Sequence, residues 1–340
     1  MSFPAVESEA SIEKLYAIGE RLLAFQFNDE VAARVAGDFI EGMHFTPLPS
    51  CAARFVHCTV KIFYGEAPTL PSGCQVFEVP RGLCYTNGDV HFLDIDESRI
   101  AVYAPAARTV SVWLGTTEHA RHPVAVVNTL SYAVQAALRR GGLYLLHAAG
   151  VVEPETNAGL IVVGNSNSGK SSLTIRLAAA GWRYLSDDML VLDEADGVVV
   201  AWALRRVFSV SSESLAGSGL TDVDAALGAP VNSDPSKRRL EPRQVFPDSF
   251  VESCRPRVLL FPTLTGEQAS RVEKLSAGEA MTQLIRQCPW ASYDRGTARE
   301  HLRLLALAAK QSTSYKLFAG LDLLETATRA PELLASCLGH

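Results

Sequence analysis

The sequence has no long apolar run. Its most hydrophobic stretches, such as Gly159 to Val163 and Val258 to Phe261, are far shorter than the roughly 20 residues a helix needs to cross a bilayer. Met1 to Glu20 lack the basic start and apolar centre of a secretory signal, so no membrane partner is expected and the expected location is the cytoplasm. Positive charge is not in excess either: 31 Lys and Arg stand against 37 Asp and Glu, a net charge of −6. A nucleic-acid partner held by a broadly basic surface is therefore not expected, because such binding draws its affinity from neutralised phosphates. Paired cysteines are missing too. The seven, at 51, 58, 74, 84, 254, 288 and 337, are odd in number and form no C-x-x-C or zinc-like spacing, which fits reduced thiols. No repeat, heptad array or low-complexity tract occurs.

What is present is ample material for folded cores: 340 residues, 48% hydrophobic and 20% charged, a length that favours two domains over one. Ile12, Leu15, Ile18 and Leu22, then Val31, Val35 and Phe39, recur at helical spacing and predict two helices broken near Phe27-Asn28. Strands are expected at Phe55 to Tyr64, on either side of the Asn87-Gly88 turn, at Arg99 to Tyr103 and at Thr109 to Leu114. Residues 1–120 thus read as a small α+β domain of unassigned role. The polar stretch His119 to Pro123 marks the expected boundary; His119 and His122 lack a third partner for a metal. A helix from Val124 to Arg140 follows, closed by Gly141-Gly142.

Strands are then expected at Leu143 to Val152, Gly159 to Val163, Trp182 to Leu192, Val198 to Val210 and Val258 to Phe261, with helices at Lys170 to Ala180, Ala277 to Gln287, Thr297 to Lys310 and Ala330 to Leu338. Asn232 to Arg243 reads as a polar loop and Ser314 to Phe318 as a short extended piece. Strand, glycine loop, helix and strand in that order predict an α/β nucleotide-binding domain over residues 121–340. The four tryptophans are dispersed and are assigned to packing.

The chemistry is concentrated in Gly164-Asn165-Ser166-Asn167-Ser168-Gly169-Lys170-Ser171, followed by Ser172. It matches the P-loop pattern and lies between an apolar strand and a helix. Glycines at its two ends let successive backbone N–H groups, here from Asn167 to Ser171, converge on phosphate oxygens at the positive end of a helix dipole. Lys170 is placed to reach the β and γ phosphates of ATP, and the Ser171 hydroxyl stands where Mg²⁺ is coordinated. Ser186-Asp187-Asp188 ends the next strand. One carboxylate there can serve the metal while the other accepts a proton from an attacking hydroxyl.

With these residues assembled, His147-Ala148-Ala149, Gly164 to Ser172 and Gly181-Trp182-Arg183-Tyr184-Leu185-Ser186-Asp187-Asp188 resemble the catalytic domain of the HPr kinase/phosphorylase family. The likeness continues more weakly through Lys237-Arg238-Arg239, Arg257 to Phe261, Tyr315-Lys316-Leu317 and Gly320-Leu321-Asp322. It implies a P-loop kinase fold, Asp187 as proton acceptor, Asp188 as a Walker-B-like acid serving Mg²⁺ with Ser171, and His147 at the same pocket. Lys237, Arg238 and Arg239 become candidates to neutralise the transferring phosphoryl group. The family signature Glu-x-Arg-Gly-Leu-Gly is replaced here by Ala203-Leu204-Arg205-Arg206-Val207-Phe208, which argues against the reverse phosphorolysis and against HPr as substrate. Relatives without the signature include precursor-peptide kinases of lasso peptide pathways. The expected activity is therefore γ-phosphoryl transfer from ATP to a serine-type hydroxyl of a protein or peptide, and the resemblance also accommodates a homo-oligomer. A kinase of a small hydroxyl metabolite and a non-catalytic nucleotide-binding regulatory module are the alternatives.

Overall fold

The apolar residues that open the chain fold as a hairpin, not as the expected helix. In a computed structural model, Ile12–Ile18 (β1) and Arg21–Phe27 (β2) pair antiparallel, with Ile18 opposite Arg21 across Gly19-Glu20. Gly19 supplies the positive φ of 54° that this two-residue turn uses. Leu23, Phe25 and Phe27 alternate inward and are fully buried, so the two-residue period prevails over the apparent three-and-four spacing. The second expected helix is present, as Glu30–Glu41 (α1), N-capped by the Asp29 carboxylate accepting from Ala32 N–H.

The structure describes residues 12–49, 55–69, 72–79, 82–87, 90–95, 98–102, 107–115, 123–216, 218, 220, 223–231, 234–326 and 328–338. The chain divides into two units, Met1–Gly142 and Leu143–His340. The first holds Thr46–Leu48 (β3), Cys58–Phe63 (β4), Gln75–Val79 (β5), Gly82–Asn87 (β6), Val90–Ile95 (β7), Ser98–Val102 (β8), Thr109–Trp113 (β9) and the helix Pro123–Arg140 (α2). Among the described residues its nine strands run β3-β1-β2-β4-β9-β8-β7-β6-β5. β6 and β7 pair on either side of Gly88, which with His119 and His122 lies outside the described residues. The division falls between Gly142 and Leu143 because α2, read from sequence as the start of the second domain, packs on β4, β8 and β9.

The second unit is mixed α/β. Its elements are Tyr144–Val152 (β10), Gly159–Val163 (β11), Lys170–Ala179 (α3), Arg183–Ser186 (β12), Met189–Ala195 (β13), Val198–Ala203 (β14), Phe208–Ser211 (β15), Ser212–Ala216 (α4), Leu227–Val231 (β16), Asp234–Leu240 (β17), Pro242–Val245 (α5), Ser253–Cys254 (β18), Pro256–Leu264 (β19), Arg271–Leu275 (β20), Ala277–Arg286 (α6), Trp290–Tyr293 (α7), Arg295–Gln311 (α8), Thr313–Ala319 (β21), Asp322–Glu325 (α9) and Arg329–Leu338 (α10). The main sheet runs β18-β14-β13-β10-β11-β19-β21-β20, with β12 also paired to β10.

β11 shows why this sheet is covered on both faces. Ile161 and Val163 face a core shared with Leu284 of α6 and Leu304 and Leu305 of α8. Leu160 and Val162 face a second core with Leu173 and Ile175 of α3 and Leu334 of α10. Strands buried on both faces read as continuous apolar runs, as Leu160-Ile161-Val162-Val163 does.

The expected polar loop at Asn232 to Arg243 contains a strand instead. β17 sits between β15 and β16 in a three-stranded sheet, with Phe208 opposite Leu240 and Ser211 opposite Lys237. Pairing with a distant strand outweighs the polar composition, and Leu240 at the strand end is fully buried.

Candidate functional site

β11 delivers the chain into the glycine loop, and α3 receives it. A Cβ on Gly164 would stand 2.6 Å from Ser168 Oγ, and Gly169, with φ of 93°, begins the helix in a left-handed conformation. Glycine is favoured at both places, one for space and one for angle. Between them Asn167 also has positive φ, 63°, a conformation that asparagine tolerates better than most residues.

Lys170 is buried, at 5% exposure, and folds back so that Nζ donates to Gly164 O at 2.7 Å and Asn165 O at 3.0 Å. Burial lowers its pKa most strongly; the charges of Asp188 and Asp187 oppose that, and the charge of Lys237 adds to it. The loop lysine and the acid pair therefore share one electrostatic neighbourhood. Asn165 O also accepts from Ser168 N–H at 3.2 Å. The loop's two asparagine side chains reach partners from far along the chain: Asn165 Oδ1 accepts from Gln287 Nε2 at 2.7 Å, and Asn167 Oδ1 from Lys237 Nζ at 2.9 Å. Ser172 Oγ lies 2.6 Å from Ser214 Oγ, which lies 2.9 Å from Ser211 Oγ.

The expected strand Trp182 to Leu192 is interrupted at Asp187-Asp188, and the interruption builds the second half of the site. β12 and β13 both pair with β10, β13 along Tyr144 to His147 and β12 along Gly150 to Val152, where the register shifts between Gly150 and Val151. Asp187 is 1% exposed; its Oδ2 accepts from Ser209 N–H at 3.0 Å, whereas its Oδ1 has no hydrogen-bond partner among the described residues. Burial first, and then the charge of Asp188, push its pKa up to about 6, against the opposing influence of Arg205, Ser209 and the Ser171 hydroxyl. Asp188 is the accessible acid, with 31% of its side chain exposed. Its Oδ1 lies 2.9 Å from His147 Nε2 and its Oδ2 3.1 Å from Arg205 Nη1. Burial alone would raise its pKa, but the His147 hydrogen bond and the Arg205 charge prevail and hold the carboxyl well below the usual carboxylate range.

The structure thus places Lys170, Asp187, Asp188 and His147 together and sets Ser171 beside Asp187. Of the three basic residues on β17, Lys237 reaches the loop, while Arg238 donates to Gly228 O and Leu227 O within its own sheet. Sequence reading missed Arg205, Ser209 and Gln287. Arg205 lies in the segment that departs from the family signature, so its basic side chain was the available signal; Ser209 acts through its backbone, which no side-chain motif can mark. No group of three or more His, Cys, Asp or Glu side chains poised for a metal occurs among the described residues. No helix among them is long and apolar enough to cross a membrane.

No family model and no curated protein matches the sequence. Among solved structures, the Hpr(Ser) kinase/phosphatase from Coxiella burnetii is similar to this chain with a TM-score of 0.28 and 14% identity, over 56% of this chain and 98% of that one.

Proposed function

We propose that the unit Leu143–His340 is an ATP-dependent kinase that transfers the γ-phosphoryl group to a serine-type hydroxyl of a protein or peptide. The observation that carries this reading is the electrostatic convergence of Lys170, at the head of a helix opened by a glycine loop, with the two strand-end acids Asp187 and Asp188. The acceptor class follows from the resemblance in Sequence analysis.

In this reading the amides of Asn167 to Ser171 and the N-terminal end of α3 hold phosphate oxygens. Lys170 exchanges two carbonyl partners for the β and γ phosphates. Asp187, whose Oδ1 has no hydrogen-bond partner among the described residues and whose carboxyl feels the Ser171 hydroxyl, fits a hard cation that prefers oxygen ligands. Mg²⁺ held there would neutralise charge on the terminal phosphates. The family resemblance implies the metal for Asp188 and the proton for Asp187; the reverse division is proposed here on accessibility. Asp187 is buried beside Ser171, while Asp188 is the acid an incoming hydroxyl can reach. Asp188 accepts the hydroxyl proton as the acceptor oxygen bonds to the γ phosphorus and the bond from that phosphorus to ADP breaks. His147 and Arg205 orient the carboxylate, and Lys237 stands at the loop to balance charge on the moving group.

The test measures ATP binding in Mg²⁺ beside transfer to acceptor. Lys170→Ala is expected to lose nucleotide affinity. Asp188→Asn is expected to keep it while transfer falls by at least about 100-fold, the low end of what a general base contributes. A nucleotide-binding module with no kinase activity would show no transfer for Asp188→Asn to diminish.

A further inference from the structure

The end of helix α6 touches the glycine loop and the strand that carries His147, although its contact in the loop is 122 residues away in sequence. Gln287 is the C-cap of α6, just ahead of Pro289, where a helix ends readily. It is only 8% exposed, and its Nε2 donates to Asn165 Oδ1. The next residue, Cys288, is 3% exposed and sets its Sγ 3.4 Å from Leu145 O. His301 Nε2 of α8 lies 3.1 Å from the same carbonyl. Leu145 precedes His147 by two residues on β10. Two successive residues at the end of α6 therefore grip the glycine loop and the strand that carries His147.

Asn165 is the pivot of the loop. Its carbonyl accepts both the Ser168 N–H, which closes the loop's turn, and the Lys170 ammonium. A side chain that fixes Asn165 thus fixes the backbone whose amides face a phosphate and the resting position of the lysine. A buried amide placed this way costs desolvation unless its hydrogen bond is made, so the pairing selects one loop conformation over others.

We infer that Gln287 is a positioning residue for the glycine loop, holding it through Asn165 in a phosphate-ready shape before nucleotide arrives. For its consequence on affinity the inference rests on the nucleotide reading above. The loop geometry itself can be tested without ligand.

Gln287→Met keeps length and volume while removing the donor, which spares packing. Hydrogen exchange of the ligand-free full chain is measured at the Ser168 amide for Gln287→Met, Asn165→Ala and the double variant. Exchange about tenfold faster in each single variant is expected, the weight of one buried hydrogen bond, with the double variant no faster than the singles. β11 and α3 should keep their protection. Unchanged exchange in Gln287→Met, additive effects in the double variant, or lost protection throughout β11 and α3 would each overturn the inference. In parallel, ATP titrated in Mg²⁺ should bind about tenfold more weakly to Gln287→Met than to the unmodified chain. An unmodified chain that binds no ATP would sink the nucleotide reading, while the exchange measurement would still decide whether Gln287 sets the loop.

Discussion

Two adjacent carboxylates at one strand break have opposite surroundings. Asp187 is sealed among Ser209, Ser171 and the sheet, and its acidity is weakened; Asp188 is held ionised by His147 and Arg205. If Asp187 serves the cation, Asp187→Asn should raise the Mg²⁺ concentration needed for half-maximal activity by about tenfold or more, roughly the loss of one charge-assisted contact, and Asp188→Asn should leave that requirement nearly unchanged. Equal shifts in both variants would contradict the division. A different acid contributes to stability. Asp322 accepts from the Ser270 N–H and hydroxyl and from Arg329 Nε at 2.9 Å. Burial alone would raise its pKa, but these partners outweigh it and bring the value down to about 2. A depressed pKa means that the stabilisation is complete above the unfolded carboxyl's range and is lost as pH falls through the folded value. Denaturant unfolding measured from pH 5 down to pH 2 should therefore show a decline that Asp322→Asn flattens, with the variant less stable by about 1–3 kcal/mol at pH 5. Lys170, Ser171 and the acid pair were legible because each lies within a local motif. Arg205, Ser209 and Gln287 reach the site from 17, 22 and 122 residues along the chain relative to their partners, a juxtaposition that only the fold supplies.

Elements whose cores run through a sheet were the most legible. β11, α3, α6, α8 and α10 fall within a few residues of their apolar patterns, because an amphipathic helix or a doubly buried strand writes its period into neighbouring residues. Others did not, β17 and the β1–β2 hairpin among them. β17 is polar along most of its length and is a strand because β15 and β16 flank it. The β1–β2 hairpin carries leucines and isoleucines that also fit a helical spacing, and it is the Gly19 turn that decides between them. Gly19→Val should accordingly destabilise the unit by about 1–2 kcal/mol through its positive φ, with the loss read from the denaturation midpoint. No change would mean that the turn does not set the hairpin.

At the scale of the molecule, the chain holds two units with separate sheets, and the chemistry-bearing motifs all lie in Leu143–His340. An order of strands and helices was readable from the pattern alone, but the division was not, because α2 has the polar-to-apolar start of a new domain while its apolar face is filled by strands that precede it. The central claim is phosphoryl transfer from ATP to a peptide or protein hydroxyl. Its most direct test is to incubate the full chain with Mg²⁺ and γ-labelled ATP in lysate of its native host, beside Lys170→Ala and Asp188→Asn, and to separate protein, peptide, small-molecule and inorganic phosphate fractions. The account predicts label in a protein or peptide that disappears in both variants. Label confined to a small molecule, or no label above the variants while ATP still binds, would contradict it.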